Sequence, residues 1–337
     1  MSKFTRILSI DGGGIRGIIP GQILISLENK LKERSGNPNA RLADYFDLMA
    51  GTSTGGILTC LYLCPNQDSS ASTKYSATQA VDLYLKNGGL IFKSTLWQKI
   101  TSLFGFSDEK YDETPLERLL ASFLGEHQLS DLIKPCLVTA YDIENRKTTF
   151  FTQHDAIKYP AKDFPLLQVA RATSAAPTYF QIAKAMSEAQ KDYSFIDGGV
   201  FANNPTLCAY AEVRHKFESR PTAKDMLILS LGTGHVYKSY EYRKAKNWGA
   251  VGWIRPLLDI LMSGVSETVD YQLKQLFDSV GTSENYLRID EPLQFADSGL
   301  DNASPENLQA LRKEGEFCVE KYDQQLEKFA QMLVGKE

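Results

Sequence analysis

Histidine is scarce in this 337-residue chain, with four in all, and 37 Lys and Arg nearly balance 41 Asp and Glu. The resulting formal charge of −4 comes with no dense Lys/Arg block and no charged tail. That excludes the electrostatic footprint of a nucleic-acid binder. No apolar run approaches the ~20 residues that span a bilayer, so any membrane contact is expected to be peripheral. The basic start Met1-Ser2-Lys3 passes without an apolar h-region into a strand-like segment, so no secretory signal is expected. The five cysteines are widely spaced, and Cys60 and Cys64, one helical turn apart, have no Cys or His near them in sequence. They read as small buried side chains, with no disulfide framework, metal site or cofactor expected. No internal repeat and no linker stands out, so a single domain is expected.

What is present is an alternation of apolar strands and helices. Residues 5–10, 45–50, 137–142, 148–151, 193–197, 226–231 and 285–289 read as strands. Helices are expected over 18–34, 77–87, 114–124, 165–173, 246–277 and 305–333, with others after Ser53 and near Pro205. The polar, Ser-rich stretch 65–75 reads as a surface loop. Strands that are apolar throughout argue for a mainly parallel sheet covered on both faces. In such sheets the active site lies beyond the carboxyl ends of the strands, where the glycine-rich turns at 11–14, 51–56 and 197–199 are expected to gather.

Gly51-Thr52-Ser53-Thr54-Gly55 is a G-x-S-x-G turn between an apolar strand and an apolar helix. A serine on so sharp a turn is pushed out where an acyl carbonyl can reach it. Acyl transfer also needs a base and donors for the tetrahedral oxyanion. Asp11-Gly12-Gly13-Gly14-Ile15-Arg16-Gly17 offers main-chain N–H groups for the oxyanion, since consecutive glycines place no Cβ in the way. It lacks the Lys-Ser/Thr ending of a P-loop, and its formal G-x-G-x-x-G spacing is not joined by an acidic residue ending a second strand. Two bases remain open on chemistry alone. The order Ser53, Asp197, His235 matches a hydrolase triad. Alternatively Asp197 contacts Ser53 directly, which requires its environment to raise a carboxyl from ~3.9.

Asp11-Gly-Gly-Gly-Ile-Arg-Gly, Gly51-Thr-Ser-Thr-Gly-Gly56 and Asp197-Gly-Gly199, in this order, resemble the patatin family of lipid acyl hydrolases. Ser174-Ala-Ala-Pro177, Ser230-Leu-Gly-Thr-Gly234 and Asn247-Trp-Gly-Ala250 resemble further blocks of that family. The resemblance covers residues 5–290, taken as the catalytic domain, with 291–337 as a C-terminal helical extension packed on it. It implies a three-layer α/β/α sandwich and a Ser53–Asp197 dyad, with oxyanion donors from Gly13 and Gly14 and Gly12 beside them. It places Arg16 at a basic position suited to an anionic head group, and it does not require histidine at position 235. The implied activity is that of a phospholipase A on membrane phospholipid or glycolipid, cytoplasmic and transiently membrane-associated, with no metal. The plant members carry secretion signals, which this N-terminus lacks, so a storage role is not expected. Rival readings are a bacterial defence effector switched on by cyclic nucleotides, as some patatin-like proteins are, and a non-catalytic anion-binding module.

Other features carry milder expectations. In residues 90–106, Leu96, Trp97, Ile100, Leu103 and Phe104 share a helical face, which suits either a lipid-facing lid or core packing. Residues 257–265 are apolar nearly all round and suggest a buried helix or a subunit contact. Asp142 and Glu144 flank a turn and read as a solvated hairpin.

Overall fold

A computed structural model describes residues 4–66, 69–91, 114–236 and 239–335. The strands are β1 Thr5–Ile10, β2 Leu48–Thr52, β3 Pro65–Asn66, β4 Ser69–Thr73, β5 Cys136–Asp142, β6 Lys147–Phe151, β7 Ala183–Met186, β8 Asp192–Asp197, β9 Met226–Leu231 and β10 Tyr286–Ile289. The main sheet has the order β10-β9-β1-β2-β5-β8-β7, with β6 paired to β5 as well. From β10 to β5 all neighbours are parallel, while β6, β8 and β7 join antiparallel.

The alternation of side chains along the parallel strands builds the three layers. Leu8, Ile10, Met49, Leu227 and Leu229 face one core, and Ile7, Leu48, Ala50 and Ile228 face the other. Successive residues on a strand point to opposite faces, so an uninterrupted apolar strand feeds two cores. The first core is roofed by helices Ile18–Ser35, Thr54–Leu63, Ala77–Ile91, Thr114–Leu124 and Leu166–Thr173. The second is closed by Thr206–Lys216 and the far end of Ala250–Asp278 through Ala209, Val213, Leu273 and Phe277. The expected single-domain α/β fold with a mainly parallel sheet is the fold observed.

Residues past 290 lie on the first core. Leu311 of helix Pro305–Lys321, and Leu326, Phe329 and Leu333 of helix Asp323–Val334, are buried with it. Lys30 reaches Asp323 and Glu327 at 2.7 and 2.9 Å from the first long helix.

Local expectations differ in three places, and a fourth falls outside the described residues. The strand expected over 45–50 starts only at Leu48, because residues Leu42–Tyr45 form a short helix whose N3 residue Asp44 accepts the Arg41 N–H. The loop expected over 65–75 contains the β3–β4 ladder, closed at its base where the Lys74 N–H donates to the Cys64 carbonyl at 2.9 Å. The closing helix expected over 305–333 is two helices, broken at Tyr322. The apolar helical face expected within 90–106 lies outside the described residues, apart from the end of helix Ala77–Ile91, where Ile91 is buried.

Candidate active site

Ser53 and Asp197 meet because two strands end head to head on one edge of β5. Thr52, the last residue of β2, pairs with Thr139, and Asp197, the last of β8, pairs with the next residue, Ala140. β6 overlaps both partners' registers on β5, so it must hold the opposite edge. β2 runs parallel to β5 and β8 runs against it, so each chain turns away from the sheet at the same point. The three glycine-rich turns gather as expected from sequence, but one of the strands they follow, β8, runs against β5. Asp197 reaches the site because its strand is antiparallel.

The turn after Thr52 is tight and strained. Ser53 has φ 54° and ψ −121°, a combination that a residue with a Cβ rarely adopts, worth about 1–3 kcal/mol. A Cβ on Gly51 would strike the Gly55 carbonyl, and one on Gly55 would strike the Ile10 carbonyl. Only glycine therefore fits at both flanking positions. The Ser53 N–H donates to Thr173 Oγ1 at 2.9 Å, and the Ser53 carbonyl accepts from Ile57 at 3.0 Å in the following helix.

Asp197 is 5% exposed. Its Oδ1 accepts the Gly199 N–H at 2.7 Å, and its own N–H donates to the Ala175 carbonyl at 3.0 Å. Burial raises its carboxyl pKa from 3.8 to about 6, against the lowering effect of hydrogen bonds from the Ser53 side chain and the Gly199 N–H. The Ser174-Ala-Ala-Pro177 block thus has a physical role. Its neighbour Thr173 holds the Ser53 backbone, and Ala175 holds that of Asp197.

The glycine loop lies against Ser53: a Cβ on Gly12 would sit 3.3 Å from that of Ser53. Its N–H groups are not equivalent. Gly12 donates to the Asn203 carbonyl at 3.0 Å and Ile15 to the Leu300 carbonyl at 2.9 Å. Gly13 and Gly14 have no acceptor among the described residues. Of the three N–H groups expected as oxyanion donors, that of Gly12 is already engaged. The loop is anchored from below, where Arg288 donates to both Asp11 oxygens at 2.9 and 2.6 Å and to Asp290 at 2.9 Å.

His235 is not brought to this pair. Its Nδ1 lies 3.8 Å from Asp290 Oδ2, and the bond to Asp290 raises its pKa. The hydrolase-triad arrangement is thereby disfavoured, since the carboxylate that engages His235 is Asp290 and not Asp197. Arg16, at the end of the glycine loop, is half-buried and its Nε has no partner. No carboxylate forms an ion pair with it among the described residues, and burial lowers its pKa.

Sequence reasoning missed Asn203. Its Nδ2 donates to Ser266 Oγ at 3.2 Å, and its buried Oδ1, without a partner, faces the Gly12 Cα. The only signal for it was the Asn203-Asn204-Pro205 run closing the turn after Asp197. Among the described residues no group of three or more His, Cys, Asp or Glu side chains could hold a metal ion.

The sequence profile of the family described as "Patatin-like phospholipase" matches residues 8–210. Patatin-like protein 2 of Arabidopsis thaliana is 37% identical over 95% of this chain and 84% of its own length. Patatin group D-2 of Solanum tuberosum is 32% identical over 99% of this chain and 90% of its own length. Among solved structures, VipD from Legionella pneumophila aligns over 99% of this chain and 67% of its own with a TM-score of 0.41 and 12% identity, a likeness too slight to carry an argument.

Proposed function

The chain belongs to the patatin-like phospholipase family of lipid acyl hydrolases, and from that membership we propose that Ser53 and Asp197 act as a two-residue pair on the ester bonds of membrane glycerolipids. The observation that carries this reading is the head-to-head ending of β2 and β8, which sets the two side chains against each other with His235 engaged elsewhere. Asp197 takes the Ser53 proton as Oγ bonds to the ester carbonyl carbon. The carbonyl electron pair moves to oxygen, where the N–H groups of Gly13 and Gly14 stabilise it. Collapse expels the glycerol oxygen, which takes the proton from Asp197 and leaves as lysolipid. Water then attacks the acyl-enzyme while Asp197 accepts its proton, fatty acid leaves, and Ser53 regains its hydrogen. Arg16, a cation beside the loop without an ion pair among the described residues, suits an anionic head group.

The test is product analysis with active-site labelling. Phosphatidylcholine vesicles are expected to yield fatty acid and lysolipid in equal amounts, and a fluorophosphonate is expected to leave one adduct, on the peptide containing Ser53. An adduct elsewhere, or none, would remove Ser53 as the nucleophile.

A base with a pKa of about 6 sets the acid limb of the reaction. The kcat/KM for a water-soluble ester is expected to fall about tenfold per pH unit below that value, because only the ionised carboxylate accepts the proton. A pH–rate profile that stays flat down to about pH 5 would argue against Asp197 as the base. His235→Ala is expected to keep kcat within about threefold of the parent, because its ring engages Asp290. A loss as deep as that of Ser53→Ala, in the same assay, would restore the triad.

A further inference from the structure

The helix Ala250–Asp278 carries an outward apolar stripe in its first half. At ~3.6 residues per turn, Met262, Ser266, Val269, Leu273 and Phe277 share the side turned to the protein, where Leu273 and Phe277 are fully buried. The opposite side carries Trp253, Leu257, Ile260 and Leu261, exposed by 42, 47, 42 and 43%. A helix on the surface of a domain ordinarily turns charged and polar residues outward there. Farther along, the same side becomes Glu267, Thr268, Tyr271 and Gln275, so the apolar stripe is confined to the first turns. The expectation of a buried helix over 257–265 is thus corrected on this side, which is open.

The helix that carries the stripe borders the candidate site with its other side. The terminal methyl of Met262, next to Leu261, lies 3.8 Å from where a Cβ on Gly199 would be, and the Gly199 N–H is the one that holds Asp197. One turn on, Ser266 accepts the Asn203 amide. Toward the helix start the apolar surface continues through rings in edge-to-face contact, Trp253 with Trp248 at 5.1 Å and Trp248 with Tyr240 at 5.3 Å. Arg243 and Lys246 stand exposed at the rim. Residues 238–259 hold five basic and two acidic side chains, a local +3 in a chain of net −4.

That charge decides between two occupants. A second copy meeting this face through a two-fold axis would bring its own basic rim against the first. An anionic bilayer attracts the rim, and aromatic rings with an aliphatic stripe suit the headgroup boundary. No helix among the described residues is long and apolar enough to cross a membrane, so the seat is interfacial.

We propose that Trp253, Leu257, Ile260 and Leu261, rimmed by Arg243 and Lys246, form the surface by which the protein seats on an anionic lipid bilayer. The helix then lies in the plane of the interface with Met262 and Ser266 directed at the Asp197 turn. The proposal rests on the hydrolase reading for its purpose, but binding is measured separately from turnover.

The experiment compares sedimentation with sucrose-loaded vesicles of phosphatidylcholine alone and of phosphatidylcholine with phosphatidylglycerol. It uses the Ser53→Ala background so that the lipid stays intact. Turnover of a water-soluble short-chain ester and the Tm are measured in the Ser53 background. Leu257→Glu with Ile260→Glu is expected to lower partition onto anionic vesicles at least about tenfold. Arg243→Gln and Lys246→Gln are each expected to lower it about fivefold, with no effect on neutral vesicles. Ester turnover and Tm should stay at parental values in all of them. Parental binding by the Glu pair overturns the proposal, as does failure of the parent to sediment with anionic vesicles. A parent that is a dimer, made monomeric by the Glu pair, assigns the face to a second copy and also overturns it. Should the Glu pair lower the Tm, the two rim variants decide on the same scale. Absence of ester turnover in the parent would sink the hydrolase reading while leaving the vesicle result to decide the seat.

Discussion

Ser53→Ala is expected to lower fatty-acid release by about 10⁴-fold or more, with the fold and lipid binding unchanged. The alanine keeps the Cβ and the backbone geometry, so the Ser53 N–H still reaches Thr173 and the turn still feeds the helix Thr54–Leu63. What disappears is the oxygen proposed to bond to the acyl carbon. Ser53→Gly separates chemistry from strain. It should be equally inactive, yet it relaxes a residue held at φ 54°, a conformation that glycine adopts without penalty. Its Tm is expected to equal or exceed that of Ser53→Ala, even though glycine also gains freedom in the unfolded chain. Fatty-acid release and thermal melts on the two variants check both statements. Residual activity above about a hundredth of the parent in either would exclude Ser53 as the nucleophile.

Asp197→Asn is expected to remove activity about 10³–10⁴-fold and at the same time to stabilise the protein. The amide oxygen can still accept the Gly199 N–H, so the turn is kept while the proposed base is lost. The stability gain follows from the carboxyl's raised pKa of about 6. Burial disfavours the charged form, so the native state takes up a proton more readily than the unfolded chain does. The cost of holding the carboxylate ionised is whole above about pH 6 and shrinks as pH falls through that value. It vanishes below the unfolded carboxyl's ~3.9. At neutral pH that cost is on the order of 2–3 kcal/mol. Thermal unfolding of parent and variant should therefore show a higher Tm for the variant near about pH 7.5 and equal values near about pH 4. A variant no more stable at the higher pH would mean that Asp197 is not strained by burial, and the account of its basicity would fall with it.

Much of the site was legible before any fold was known, for a local reason. Gly51 and Gly55 flank a turn that only residues without a Cβ can make, and such a steric demand is written in the residues themselves. The same holds for β9, whose six residues are all buried and read as a central strand from composition alone. By contrast, nothing along residues 192–197 states that this strand runs against β5. Strand direction is settled by pairing with a partner some fifty residues away, not by side-chain type. Gly12, Gly13 and Gly14 look alike in sequence, yet Gly12 differs because the Asn203 carbonyl, brought in by the turn after Asp197, takes its N–H.

The chain's residues alone determined the alternation of apolar strands and helices, the sharp serine turn, the glycine loop and the Asp-Gly-Gly turn, because periodicity and small side chains act over a few residues. Only the tertiary structure decided which of them meet. It set Asp197 against Ser53 through two strands ending on one edge of β5, and it engaged His235 with Asp290. It also turned Trp253, Leu257, Ile260 and Leu261 outward, because the helix Ala250–Asp278 gives its opposite side to the protein, through Leu273 and Phe277.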